Sequence, residues 1–291
     1  MTLSPQSTDE TRLWTETLSE MIASGETERG QKVSRLGFFC EPYRPPSGIF
    51  ADTVIKVYRT AAGADLERLV RAHDAYIAFL LDSGVQVPET RILLVPVKGR
   101  QIPVIVQEAL PAETMMRASM IGTPLAEAMS AMQAAGDVIA RFWDYAAGRE
   151  ERVGFHPSIR NLAIIDGVGV FFDSFPPLID YSHAEMGQAL ASFSSNRWLR
   201  AVAPFMRKRI EGIQDEWYDP MDNLVGLVGS ACRLRPDDSA QFLDWGRSFA
   251  AERMGMSPEI IAAELAEAPK LPGYWRAVRT LIGKTGTPDQ R

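Results

Sequence analysis

The sequence predicts an α+β chain in which strands dominate the first third and helices most of the remainder. Three observations carry this expectation. Between Val33 and Leu110, short apolar runs separated by Gly- and Pro-rich turns surround one amphipathic helix. After Pro111, apolar residues recur at helical spacing in one stretch after another. A short hairpin, LAII-DG-VGVFF, opens at Leu162 and interrupts the helical part.

Taken in order, an N-cap near Ser7-Thr8-Asp9 opens a first helix with Leu13, Trp14, Leu18, Met21 and Ile22 on one stripe, and Gly25 and Gly30 bracket its end. VSRLGFFCE and IFADTVIKVYR then read as strands joined by the proline-rich EPYRPPSG. Alternation in TVIKVYR places Lys56 with Val54 and Tyr58; a lysine there either snorkels at a sheet edge or holds an anion under the sheet. AGADLERLVRAHDAYIAFLLDSG is an amphipathic helix closed by Gly84, with His73 packed on its apolar side. VPETRILLVPVKGRQIPVIVQEALP forms two antiparallel strands around Lys98-Gly99. A long helix covers 123–148, and its Ala and Met residues are core packing. Further helices fall at 184–194, 196–213, 220–231, 237–254, 257–266 and 272–283. This divides the chain into a strand-rich part with its N-terminal helix (1–110), a helical part containing the 161–173 hairpin (111–283), and a flexible tail (284–291).

Composition excludes several classes of function. The chain has 291 residues, 46% hydrophobic and 23% charged, which suits a large globular core. Its net charge of -6 argues against a non-specific nucleic-acid binder. Cys40 and Cys232 have no metal-ligand spacing and read as free thiols in a reducing compartment. With no membrane-length apolar run and no signal-peptide pattern, a cytoplasmic protein without a membrane partner is expected. His73, His156 and His183 show no zinc-enzyme spacing, and there is no G-x-S-x-G.

The chemistry concentrates in 154–177, GFHPSIRNLAIIDGVGVFFDSFPP. A hairpin turn at Asp166-Gly167 brings the loop residue Asn161 opposite the strand-end residue Asp173, and amide and carboxylate oxygens suit a hard cation such as Mg²⁺. Arg160 is a candidate clamp for phosphate or carboxylate, or else a partner for Asp173. Pro176-Pro177 fixes the chain just after Asp173.

Lys56 on a strand, a helix with an early Glu67, a linker strand ending in Gln107-Glu108-Ala109-Leu110, then Asn161 and Asp173 twelve residues apart: this order resembles the protein-kinase-like fold, in the small-molecule branch that includes aminoglycoside and choline phosphotransferases. The resemblance spans 33–177. It implies a two-lobed fold, with a mostly antiparallel N-lobe sheet and a mainly helical C-lobe. It also implies ATP or another nucleoside triphosphate with Mg²⁺, and a small hydroxylated metabolite or antibiotic-like compound as acceptor. Lys56 and Glu67 would then serve the phosphates, Glu108 and Leu110 the interlobe hinge facing the adenine, and Asn161 and Asp173 the metal. The chain departs from the family pattern at four places. His156 stands where the family has its base Asp, Gly154 where it has a His, Ser174-Phe175 where it has Phe-Gly, and no G-x-G-x-x-G follows the first strand. His156 either takes the acceptor proton itself or forms a structural hydrogen bond. The acceptor would lie among Asp180, Tyr181, His183, Asn196, Arg197, Trp198, Arg200 and Trp217, where no spacing names it. Three readings remain open: a phosphotransferase, a kinase-like binding module without transferase activity, and a cleft reused for other chemistry such as adenylylation or lyase chemistry.

Overall fold

A three-stranded antiparallel sheet organises the first part of the chain in the computed structural model, which describes residues 8–30, 32–33, 40–58, 65–193 and 215–269. Its strands are β1 (Thr53–Val57), β2 (Thr90–Val97) and β3 (Arg100–Glu108), in the order β1-β3-β2. The β2–β3 turn has Lys98 at φ 49° and Gly99 at φ 77°. Positive φ at both central residues is the hairpin geometry that matches strand twist.

Both faces of the sheet are covered, and the period of two decides which residue meets which cover. On one side lies α1 (Thr8–Ala23), whose Trp14, Leu18 and Met21 bury against Ile55, Val95, Val97, Val104 and Val106; a short α2 (Glu26–Arg29) follows it. On the other side lies α3 (Leu66–Asp82), whose Leu69 packs with Tyr58, Ile92 and Ile105. Asp65 caps α3 by accepting the Arg68 N–H at 2.8 Å. Gly84, at φ 76°, ends it with its N–H on Leu81 O.

The C-terminal half of α3 leaves the sheet and enters a second core, where Tyr76, Phe79 and Leu80 are buried. That core is built on α5 (Leu125–Ala146), which follows a 3₁₀ turn (Ala112–Thr114) and a short α4 (Met116–Met120). Met132, Ala135, Val138, Ile139 and Phe142 of α5 share one buried core with the hairpin β4 (Leu162–Ile165) and β5 (Val168–Phe171) and the helices α7 (Pro220–Leu234), α8 (Ser239–Glu252) and α9 (Pro258–Glu264). A helix α6 (His183–Phe193) lies between the hairpin and α7 in sequence. Phe142 stacks on Phe155 at 4.4 Å, and Phe155 meets Phe171 edge-on at 4.7 Å. The hairpin is pinned from outside as well: Phe171 N–H donates to Gln86 O at 2.8 Å, and Met115 bridges Ala163.

The α+β composition and the order of the described elements agree with the sequence reading, with shorter boundaries. Among the described residues of the apolar run 49–59, Thr53–Val57 is strand. Residues 49–52 turn instead, with Thr53 N–H on Phe50 O at 3.1 Å, because Phe50 is drawn edge-on onto Trp14. The expected strand at 33–41 lies mostly outside the described residues; near it, Tyr43 bridges Lys32 and Ile55. The helix expected at 237–254 begins as a 3₁₀ turn at Pro236–Asp238. The helices expected at 196–213 and 272–283, and the tail, lie outside the described residues. Among the described residues no helix is long and apolar enough to cross a membrane.

The hairpin sits so close to α5 that Gly169 has no room for a methyl group: a Cβ there would approach Val138 Cγ2 to 2.6 Å and the Ala134 carbonyl oxygen to 2.9 Å. Backbone cannot rotate away as a side chain can. We therefore expect Gly169→Ala to lower the unfolding free energy by about 1–3 kcal/mol, the usual cost of overpacking, as measured by urea denaturation.

Candidate functional site

Lys56 is the pivot. Being on the α3 face of β1 with Tyr58, it lies between the sheet and the second half of the chain, and only 5% of it is exposed. A buried ammonium needs an acceptor. Lys56 finds it across the molecule: Nζ donates to the Phe172 carbonyl oxygen at 2.8 Å. Of the two sequence readings, snorkelling at an edge is therefore not the arrangement adopted.

The residue after Phe172 is Asp173. Its side chain is about one-third exposed, and its Oδ2 is 3.6 Å from His156 Nε2. Burial alone would raise this carboxyl; the approach of His156 and the positive charge of Lys56 outweigh it, so Asp173 is held below its ordinary value. His156 is itself 13% exposed, flanked by Phe171 at 5.7 Å and Trp217 at 5.3 Å. Its Nδ1 is buried with no hydrogen-bond partner among the described residues. Only Nε2 is left to act, and 3.6 Å is longer than a hydrogen bond.

Asn161 joins these two. Its backbone oxygen accepts the Phe172 N–H at 3.0 Å across the hairpin, and its Nδ2 donates to His156 O at 3.0 Å. With the nitrogen spent, Oδ1 is the atom it can offer a cation. Arg160 is half-buried beside it, its N–H on Ser158 Oγ at 3.3 Å. Among the described residues no group of three or more His, Cys, Asp and Glu is arranged to hold a metal. A cation at Asp173 and Asn161 would thus have few protein ligands, the manner in which Mg²⁺ binds alongside phosphates and water.

Trp217 reaches His156 because buried Asn223 of α7 ties its segment down, accepting Trp143 Nε1–H at 3.1 Å and donating to Glu216 O at 2.8 Å. Gly154 is held by Leu178 O, 2.8 Å from its N–H, and by the Tyr76 hydroxyl, 2.9 Å from its oxygen. No side chain fits there: a Cβ would lie 2.9 Å from the Tyr218 ring and 3.0 Å from Trp217 O. After Asp173, the Phe175–Pro176 bond is cis and both prolines are buried.

One expected participant, Glu67, stands elsewhere, and two hinge N–H groups are engaged within the protein. Glu67 is 85% exposed and lies 4.0 Å from Arg71, so it does not serve as the partner of Lys56. The buried stripe of α3 is Leu69, Ala72, His73, Tyr76, Phe79 and Leu80, and Glu67 falls about 240° round the helix from His73. Glu108 is exposed, and its N–H is spent on Glu89 O at 2.8 Å; the next N–H, of Ala109, goes to Asp52 O at 3.0 Å. The half-exposed Leu110 follows. The Glu108 and Ala109 N–H groups are therefore engaged within the protein. Asn196, Arg197, Trp198 and Arg200 lie outside the described residues.

Sequence reasoning missed what His73 does. It is fully buried, as expected of a residue on an apolar stripe, but its Nε2 lies 3.1 Å from Ser174 Oγ, at the residue after Asp173. Nothing in the local pattern pointed across 101 residues. Cys40 is part of the same neighbourhood, where burial pushes its thiol up to about 11 despite Lys56.

Burial also lowers the His73 pKa from about 6.5, with the Asp74 carboxylate opposing and Lys56 reinforcing the shift. A folded-state value below the unfolded one means that the unfolded chain takes up the proton first as pH falls. The stabilisation is then complete above about 6.5 and is lost progressively below it, by at most about 1.4 kcal/mol per pH unit for one proton. His73→Gln should therefore show a shallower loss of stability between pH 7.5 and 5.5 than the natural protein, measured by thermal or urea unfolding across that range.

No curated protein matches the chain. A family of unknown function, DUF6206, matches residues 17–286, nearly the whole length and all of the site described above. The chain belongs to that family, DUF6206.

Proposed function

We propose that the chain is a kinase-like, Mg²⁺- and ATP-dependent phosphotransferase acting on a small hydroxylated compound. The observation that supports this best is the 2.8 Å bond from Lys56 Nζ to Phe172 O. A strand lysine of the sheet thereby meets, in one contact, the segment bearing Asp173, whose carboxylate faces His156 Nε2 at 3.6 Å. In the two-lobed kinase-like arrangement, the sheet with α1 and α3 is the N-lobe and the α5 core with its hairpin is the C-lobe.

Asp173 and the Asn161 amide oxygen would hold the metal, which supplies charge neutralisation for the transferred phosphoryl group. Lys56, 5% exposed, adds fixed positive charge under the same segment. In the transfer, the acceptor oxygen forms a bond to the γ-phosphorus as the bridging bond to the β-phosphate breaks and ADP leaves. The acceptor proton goes to His156 Nε2, whose other nitrogen is buried. Asp173 beside it stabilises the imidazolium. A general base of this kind contributes about 10²- to 10⁴-fold, so His156→Ala should slow transfer by that factor while leaving nucleotide affinity near its starting value.

A second reading, a kinase-like binding module without transfer, draws on the engaged N–H groups of Glu108 and Ala109 and on the buried state of Lys56. One experiment separates the readings. Thermal unfolding is recorded with ATP with and without Mg²⁺, and products formed from ATP and a metabolite pool are weighed by mass spectrometry. A Mg²⁺-dependent stabilisation that is lost in Lys56→Ala and Asp173→Ala, with phosphate added to a product, supports the phosphotransferase. Stabilisation without products supports the binding module, AMP added to a product indicates adenylylation, and absence of any nucleotide effect removes the kinase-like reading altogether.

A further inference from the structure

We infer that His73, rather than Glu67, is the residue of α3 that positions Asp173, by holding Ser174 beside it. Four contacts bracket the carboxylate. Phe172 is held on the N-terminal side by Lys56, through the bond to its carbonyl oxygen, and by Asn161 across the hairpin. Ser174, 2% exposed, is held by His73 Nε2 at 3.1 Å. Phe175 is stacked on Tyr58 of the sheet, with ring centroids 3.7 Å apart. Between these anchors Asp173 keeps about one-third of its side chain exposed.

Packing does not explain an imidazole at position 73. It is fully buried between Leu69 and Tyr76 on a stripe that is otherwise aliphatic or aromatic, where leucine would fill space without desolvating two nitrogens. Its Nδ1 has no hydrogen-bond partner among the described residues, and the nearest carboxylate, Asp74, is 3.9 Å away. The bond to Ser174 is the interaction that the imidazole supplies and a hydrocarbon does not. Because α3 is anchored in both cores, a fixed Ser174 ties the Asp173 segment to the element that spans the two halves of the molecule. That Asp173 then serves a nucleotide-bound cation rests on the function proposed above; the positioning itself rests on geometry.

The test compares His73→Leu, His73→Gln, Ser174→Ala and the His73→Leu/Ser174→Ala double variant in the full-length protein, with two readouts. Amide hydrogen exchange over 172–175 reads the positioning without any ligand. The Mg²⁺ concentration giving half-saturation of ATP binding reads its consequence. Loss of the bond should raise exchange over 172–175 by about tenfold in His73→Leu and in Ser174→Ala, without change in α5. It should raise the half-saturating Mg²⁺ concentration by about three- to tenfold, with the double variant no worse than either single one. His73→Gln, which keeps an amide nitrogen near the Nε2 position, should return both values to within about twofold. Unchanged exchange over 172–175, strictly additive effects of the two single variants, or glutamine no better than leucine would each overturn the inference. Should His73→Leu not fold, Ser174→Ala breaks the same bond from its small and tolerant side. Should the natural protein bind no nucleotide, the proposed function falls, while the exchange data still decide the positioning.

Discussion

The join between the two halves of the structure depends on one buried ammonium, the buried lysine among the described residues. Lys56 lies beneath the sheet, away from water, and its charge is satisfied by the carbonyl oxygen of Phe172, 116 residues on in the chain. A hydrogen bond to a charged group contributes about 1.5–3 kcal/mol, and leaving such a group unpaired costs at least as much. The two halves of the molecule are therefore held in one register at the point where Asp173 follows Phe172. The low value of Asp173 is a consequence: burial works against the carboxylate, and His156 and Lys56 prevail over it.

Around that bond the two cores divide the work. The sheet, sandwiched between α1 and α3, places Lys56 and Tyr58 on its inner face. The α5 core holds the hairpin by contact too close for a Cβ at Gly169, and holds the preceding loop at Gly154 in the same way. Rigid backbone on both sides leaves the side chains of His156, Asn161 and Asp173 few alternatives. The candidate site is thus built from ordinary packing constraints applied at close range.

Much of this was legible in the sequence because it is local. Period-two and period-3.6 patterns and glycine-marked turns identify β1 to β5 and the longer described helices, though not the short α2 and α4, and the hairpin turn at Asp166-Gly167 puts Asn161 and Asp173 at one end. What was not legible is what depends on contacts distant in sequence. Glu67 is early in α3, where order along the chain suggested a partner for Lys56, but helical phase turns it to solvent. His73 has the right phase and reads as packing from the sequence, because the serine that its buried nitrogen meets is far along the chain. At Glu108 and Ala109 the resemblance suggests backbone groups facing an adenine, yet could not show that Glu89 and Asp52 take the N–H groups there.

The account turns on whether Asp173 and Asn161 share a cation beside a nucleotide. The most direct measurement is a crystal structure of the protein with Mn²⁺ and a non-hydrolysable ATP analogue, locating the metal from its anomalous signal. The account predicts a manganese peak bonded to the Asp173 carboxylate and to Asn161 Oδ1, with the analogue's phosphates in the same cleft. A nucleotide bound with its metal away from both residues, or no nucleotide under saturating conditions, would contradict it.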